Sequence, residues 1–447
     1  MDERAGQRAG RQPQPAAAES WLGRRLEVRV EAIAHGGHCV ARSAGRVVFV
    51  RHALPGETVL AEVTEDRGGS FCRADAVEIR TASPDRVSRP CPYAHPGGCG
   101  GCDFQHVSLP GQRALKAAVV AEQLSRLAGL ERAVTVQPLD DGDGLGWRRR
   151  VRFAVGPAGE LGLRAHRSHR VVPLSHCPIG APGVGDAHAL QSDWPGLAEL
   201  EVAVDDRGEV VELAHRSRPA RPRRDSRGRH GGNRRPARPV LSTEQLSGPP
   251  ALRYAVAGRE FTVHPAGFWQ THPQAAEVFT ATVLRAASAQ PGERVLDLYA
   301  GSGLFTAALA SAVRSTGRVL GLEAEPTAVA DAGANLADQP WAAVRRATVS
   351  AATIAAATAD LGEPTGVDIV VLDPPRSGAG REVLTAILAA GPRVVIYVAC
   401  DPAALARDVR IALDAGWQLD ELSAFDAFPM THHVECIAVL RPLWNRS

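Results

Sequence analysis

The chain has 447 residues, 45% of them hydrophobic and 22% charged, with a formal net charge of +2. That length exceeds one ordinary core and predicts two to three domains, while the near-balanced charge says little about a partner. No apolar run approaches the roughly 20 residues of a membrane span and Met1–Ala18 lacks the apolar core of a signal peptide, which predicts a cytoplasmic protein with no membrane partner.

Met1–Ser20 reads as a disordered tail. From residue 21 to 82, short β-rich runs (Leu26–Val30, Arg46–Val50, Thr58–Val63, Ala74–Ile79) alternate with turns such as Gly36-Gly37 and Pro55-Gly56, which predicts a small OB-like β-barrel. Residues 83–255 form a central domain. It opens on Cys91-Pro-Tyr-Ala-His-Pro-Gly-Gly-Cys99-Gly-Gly-Cys102, where thiolates separated by two residues can chelate one centre and the glycines let the loop fold around it. Three cysteines leave a thiolate site one ligand short. Cys177, which also precedes a proline, is the best distant candidate; zinc and an iron–sulfur cluster both fit the spacing. With so few cysteines elsewhere, the grouping suggests metal rather than disulfides.

Gln112–Leu130 has helical spacing, with Ala114, Ala117, Ala118, Ala121, Leu124 and Leu127 on one face. Trp147–Phe153 reads as a strand with Arg148, Arg150 and Arg152 on one side, able to lie along a phosphate backbone. Residues 215–239 carry ten arginines among Pro, Gly and Ser with Asp225 the only acid, a composition that predicts a loop or linker.

From Arg294 the pattern becomes doubly wound, with seven candidate strands from Val295–Tyr299 to Val434–Leu440 and Ala-rich helical stretches between most of them. Val295–Tyr299 runs into a turn with Gly301 and Gly303, whose backbone can approach a ligand at the next helix N-terminus. Thr306 stands where a dinucleotide fingerprint has its third glycine, which favours S-adenosylmethionine over NAD. Glu323, about 20 residues on, is placed to accept from ribose hydroxyls.

Val394–Val398 reads as a strand buried on both faces, ending at Cys400, with Asp401 as N-cap and Pro402 as the first residue of a helix. Asp373-Pro-Pro-Arg376 ends the neighbouring strand; an arginine where base-amino methyltransferases place an aromatic argues against amino-group chemistry. Carbon 5 of uracil becomes nucleophilic only once something adds to carbon 6, a step suited to a thiolate such as Cys400. A base must then remove the carbon 5 proton, and Glu435, in Thr431-His-His-Val-Glu435, is the candidate, with the nearby histidines as rivals.

Together these motifs, Cys91…Cys99-Gly-Gly-Cys102…Gln105-His106, Asp297-Leu-Tyr-Ala-Gly-Ser-Gly303, Asp373-Pro-Pro-Arg376, Cys400-x-Pro402 and Thr431–Glu435, resemble the RNA uridine-C5 methyltransferases that carry an iron–sulfur cluster. The resemblance spans nearly the whole chain, its barrel similar to a TRAM domain. It implies a class I S-adenosylmethionine methyltransferase at residues 256–447, built on a Rossmann-like seven-stranded α/β sheet. It further implies a [4Fe–4S] cluster on Cys91, Cys99, Cys102 and Cys177, Cys400 as nucleophile and Glu435 as proton acceptor. Cofactor contacts would come from Gln270, Tyr299, Glu323 and Asp373, and the expected protein is a monomer that modifies tRNA or 23S rRNA. Asp401 stands where the family usually has Asn, and the arginine-rich insertion has no counterpart in the family pattern. The readings left beside it are a non-catalytic RNA-binding protein on the same scaffold, or methyl transfer to cytosine or a small molecule.

Overall fold

The computed structural model describes residues 20–218, 240–362 and 366–443. The expected tail and most of the arginine-rich loop, residues 1–19 and 219–239, lie outside the described residues. The chain divides into two compact units, one of residues up to 34 and 38–84, the other of residues 35–37 and from 85 onward. No helix among the described residues is long and apolar enough to cross a membrane.

In the first unit, β1 (Arg25–Ala34), β2 (His38–Ser43), β3 (Arg46–Arg51), β4 (Thr58–Asp66) and β5 (Phe71–Thr81) close into a barrel in the order β1-β2-β3-β5-β4. Strand alternation decides its interior: Val28, Val30, Ala41, Val48, Val50, Val59, Ala61, Val63, Ala74 and Ala76 are all buried, and their intervening neighbours face outward.

The second unit begins with α1 (Leu109–Gln123), capped by Ser108, whose hydroxyl accepts from Gly111 N at 3.2 Å. Its buried face differs from the alanine face expected. Gln112, Lys116, Val119, Val120 and Gln123 point inward, whereas Ala114, Ala118 and Leu127 are exposed. The reason is polar pairing at long range, described below, which apolar periodicity does not register.

After β6 (Val136–Pro138) come β7 (Arg150–Val155), β8 (Leu161–Arg164), β9 (Val171–Pro173), β10 (Glu199–Val204), β11 (Val210–Arg218) and β12 (Val240–Ser247). These last six form a sheet ordered β12-β11-β10-β7-β8-β9. His215 to Arg218, expected in the loop, instead finish β11; His215 is buried against Glu201, Nε2 to Oε2 at 3.0 Å. The arginine face of β7 is also not a free phosphate track. Arg150 and Arg152 both pair with Glu201 on β10, and Arg150 also donates to Pro265 O. Burial pushes the Glu201 carboxyl up, but Arg150 and Arg152 outweigh it and hold it below the usual range.

The hairpin β13 (Leu252–Val256) and β14 (Arg259–Val263) leads through α2 (Ala275–Ala287) into alternating strands and helices: β15 (Arg294–Leu298), α3 (Leu304–Val313), β16 (Arg318–Glu323), α4 (Pro326–Asn335), β17 (Ala342–Arg346), α5 (Ala351–Leu361), β18 (Ile369–Leu372), α6 (Gly380–Ala389), β19 (Val394–Ala399), α7 (Pro402–Asp414), β20 (Trp417–Asp426) and β21 (Glu435–Pro442). The sheet order is β17-β16-β15-β18-β19-β21-β20-β6, so it has eight strands rather than the seven expected. The extra one is β6, three residues from the central segment that pair in parallel with Ala424–Asp426 at the sheet edge. A run so short carries no periodicity to read. Alternate residues of β19 feed separate cores on the two faces: Val394, Ile396 and Val398 one, Val395, Tyr397 and Ala399 the other. All six are buried, as the unbroken β-branched run requires.

Candidate active site

Cys400 follows the last residue of β19, at the C-terminal edge where the parallel strands of an open sheet present their loops. Asp401 caps α7, its Oδ1 accepting from Ala404 N at 2.7 Å, and Pro402 fills the first turn. Strand β21 runs antiparallel beside β19, with Ala399 opposite Cys436. One residue further on each strand brings Cys400 opposite Glu435, and directly facing residues in such a pair have Cβ atoms about 5 Å apart. A thiol and a carboxyl 35 positions apart in sequence are neighbours because the sheet reverses direction there.

The glycine-bearing turn follows β15. Tyr299 adopts a left-handed backbone (φ 64°) and, with Ala300, donates its N–H to Leu322 O. A non-glycine residue held there costs on the order of 1 kcal/mol or more and is kept by its surroundings. Gly301 (φ 53°) has open space where a Cβ would stand, and its N–H donates to Glu323 Oε2 at 3.0 Å. Gly303 (φ 89°) serves packing instead, because a Cβ there would meet Ala332 at 3.3 Å and hold α3 away from α4. Thr306, in the place of the third fingerprint glycine, donates from Oγ1 to Asp297 Oδ2 at 2.6 Å.

Gln270, Tyr299, Gly301, Glu323, Asp373, Cys400 and Glu435 all line one cleft of about 1150 Å³; Gly303 does not. Around Cys400 the charges are set against ionisation. Burial pushes the thiol up to about 11, helped by the Glu435 and Asp373 carboxyls and opposed by Arg376. Burial and Asp373 likewise hold Glu435 well above the usual carboxylate range, and burial with Asp297 brings Asp373 to about 7. Asp373, raised in this way, lies close enough to neutrality to take and return a proton.

Further residues complete the cleft wall. Trp147 and Arg148 enter from the central segment, Phe268 from the loop after β14, and Phe428, Thr431 and His433 from the loop joining β20 to β21. His433 Nε2 lies 3.3 Å from Arg376 Nη2, and burial, then His432 and Arg376, bring its imidazole down to about 3. Only the Thr431–Glu435 motif could have pointed to His433, and it did not separate the two histidines.

Cys91, Cys99, Cys102 and Cys177 come together on a second, small cavity of about 10 Å³, with Tyr93, Gln105 and His176 also in its wall. All four thiols are unpaired by disulfides, and burial pushes each of them up, Cys99 to about 11. Gln105 Nε2 donates to Cys102 Sγ at 3.5 Å. Glycine is obligatory in this loop: a Cβ at Gly98 would sit 2.3 Å from Tyr93 O and one at Gly100 2.6 Å from His166 N. Among the described residues no group of three or more His, Cys, Asp or Glu side chains is set to hold a metal ion as it stands.

The tRNA (uracil-5-)-methyltransferase family model matches residues 252–442, and the TRAM domain model residues 19–77. A Streptomyces avermitilis protein described as an uncharacterized RNA methyltransferase is 44% identical over 94% of this chain and 99% of its own length. A 23S rRNA (uracil(1939)-C(5))-methyltransferase of Shewanella is 33% identical over 92% of this chain and 94% of its own. The chain belongs to the RNA uracil-C5 methyltransferases. The structure of Pyrococcus abyssi tRNA (uracil-54, C5)-methyltransferase in complex with S-adenosyl-L-homocysteine covers 93% of this chain and all of its own at a TM-score of 0.64 and 22% identity, a likeness of fold. An RNA uracil-C5 methyltransferase must hold a methyl donor and an extruded base side by side, and a single cleft joining the Gly301 turn to Cys400 has that form.

Proposed function

We propose that this enzyme methylates carbon 5 of an RNA uridine through a transient bond between Cys400 and carbon 6, with Glu435 accepting the carbon 5 proton. The supporting observation is the cross-strand placement of Cys400 against Glu435 inside the cleft that Gly301 and Glu323 also line. S-Adenosylmethionine supplies the methyl group as an electrophilic sulfonium. Glu323, Gly301, Tyr299, Asp373 and Gln270 are the residues that would hold it, with Glu323 still carrying free lone pairs for ribose hydroxyls after accepting from Gly301 N and Glu325 N.

The Cys400 thiolate adds to carbon 6, and the ring electrons displaced toward carbon 5 bond to the methyl carbon as its bond to the sulfonium sulfur breaks and the neutral thioether leaves. Glu435 then removes the carbon 5 proton; those electrons restore the ring double bond and expel the Cys400 thiolate. His433, brought down to about 3, is a much weaker base than Glu435, whose raised carboxyl suits proton removal.

The donor chemistry of Cys91, Cys99, Cys102 and Cys177 fits a thiolate-held centre, and a [4Fe–4S] cluster is the one proposed. Four sulfurs on one buried cavity support it. The cavity between them has room for about one water molecule. No step of the methyl transfer passes through this centre.

The relative acting on 23S rRNA makes rRNA the first substrate to try and tRNA the second. Anaerobically purified protein is incubated with S-adenosylmethionine and carbon-5-tritiated rRNA or tRNA in separate reactions. Tritium release from one RNA, abolished in Cys400→Ala, is the expected result. Release that survives Cys400→Ala overturns the covalent route.

A further inference from the structure

The segment joining β20 to β21, residues 427–434, carries Thr431 and His433 into the cleft and delivers Glu435 to the start of β21. It has no regular structure of its own to hold it. Met430 within it has a left-handed backbone (φ 66°), a conformation that a non-glycine residue keeps only where neighbours impose it.

Those neighbours come from the cysteine-bearing loop. The N–H groups of Asp103 and Phe104 both donate to Met430 O at 2.9 Å. Asp103 Oδ2 accepts from His432 N at 3.2 Å and lies 2.6 Å from His432 Nδ1. Gln112 on α1 ties the two segments together: its Oε1 accepts from Met430 N at 2.7 Å, while its Nε2 donates to Phe104 O and Val107 O. Asp103 immediately follows Cys102, and Gly101 lines both the cysteine cavity and the catalytic cleft.

Resting on the reading of Glu435 as proton acceptor, we infer that Asp103 is a positioning residue for Glu435, and that the cysteine loop bears on methylation through this contact. The contact acts on one half of the reaction. Cys400 is placed by β19 and by the Asp401 cap of α7, on a different segment from the Asp103–His432 contact. Loosening the 427–434 segment therefore leaves attack on carbon 6 and methyl transfer in place. It slows removal of the carbon 5 proton, after which the Cys400–carbon 6 bond breaks. The methylated RNA then stays attached to the protein.

The test compares Asp103→Ala, Asp103→Asn, His432→Ala and Glu435→Gln in the full-length protein, scoring turnover and the amount of denaturation-resistant RNA–protein adduct. Asp103→Ala is expected to lower kcat about 10- to 100-fold, the scale of a misplacement near 1 Å. Its KM for RNA should move by less than about twofold, because uniform binding is untouched. Adduct accumulates. His432→Ala, which leaves the cysteine loop unaltered, gives the same pattern, and Asp103→Asn, which keeps an oxygen for the His432 N–H, recovers most of the turnover. Adduct in Glu435→Gln but in neither Asp103→Ala nor His432→Ala overturns the inference alone. Adduct in none of them overturns the reading of Glu435 on which it rests.

Discussion

Lys116, the only lysine in the chain, is fully buried against Asp426, 310 positions away, with Nζ 2.5 Å from Oδ1 and 3.0 Å from Phe428 O. The pair anchors α1 to the end of β20, at the root of the segment that delivers Glu435. Replacing Lys116 by Ala leaves an unpaired buried carboxylate, a change that costs about 3–5 kcal/mol. Denaturant unfolding should show this as a lower midpoint, and a midpoint within experimental error of the wild type would place the pair outside the stabilising core.

The pH dependence of turnover follows from groups held uncharged. On the proposed mechanism, Cys400, pushed up to about 11, must lose its proton to attack, and Glu435, raised above the carboxylate range, must be ionised to accept one. Both demands make the rate rise with pH, with the limb set by Glu435 lying above 4.5 and the limb set by Cys400 reaching toward 11. Asp373 raises both groups, so Asp373→Asn should move each limb to lower pH in kcat measured at saturating cofactor. Unmoved limbs would mean that Asp373 is not felt at Cys400.

Stability responds in the opposite direction. Asp297 and Asp373 rise on folding from 3.8 to about 7, chiefly by burial. The folded state therefore holds their protons more tightly than the unfolded chain. Their contribution is fully present below about 4 and is lost as pH climbs through about 7. Asp297→Asn, which keeps an oxygen for Thr306, should stabilise the fold at pH 8 by up to about 4 kcal/mol, read as a higher thermal midpoint, and should leave the midpoint nearly unchanged at pH 3.5.

Arginines that look alike in sequence should separate in RNA binding. Arg150 and Arg152 are spent on Glu201, whereas Arg148 and Arg376 line the cleft. Removing Arg376 should reduce the slope of log binding constant against log salt by about 1, as for one phosphate contact. Removing Arg152 should leave that slope unaltered. Binding titrations over a range of salt concentrations read both, and equal losses would restore β7 as a phosphate track.

Metal analysis decides the nature of the cysteine site. Anaerobic protein should contain iron and acid-labile sulfide in equal amounts, and Cys177→Ser should lose both. Zinc without sulfide would replace the cluster by a single ion, and neither metal would make these four cysteines plain buried thiols.

What the sequence determined by itself was local and periodic. The β-branched run ending at Cys400, the Asp401-Pro402 helix start, the strand–glycine–helix order around Gly301 and the alternating barrel strands each follow from interactions within a few residues, so each is readable from the chain. The tertiary structure alone decided which distant groups meet. Antiparallel pairing put Glu435 across from Cys400, Glu201 removed Arg150 and Arg152 from any phosphate track, and Asp426 turned Lys116 into the core. Pairings of this kind depend on register and on partners tens to hundreds of residues away. Their energy comes from charge and hydrogen bonding in a buried setting, which has no period along the sequence to betray it.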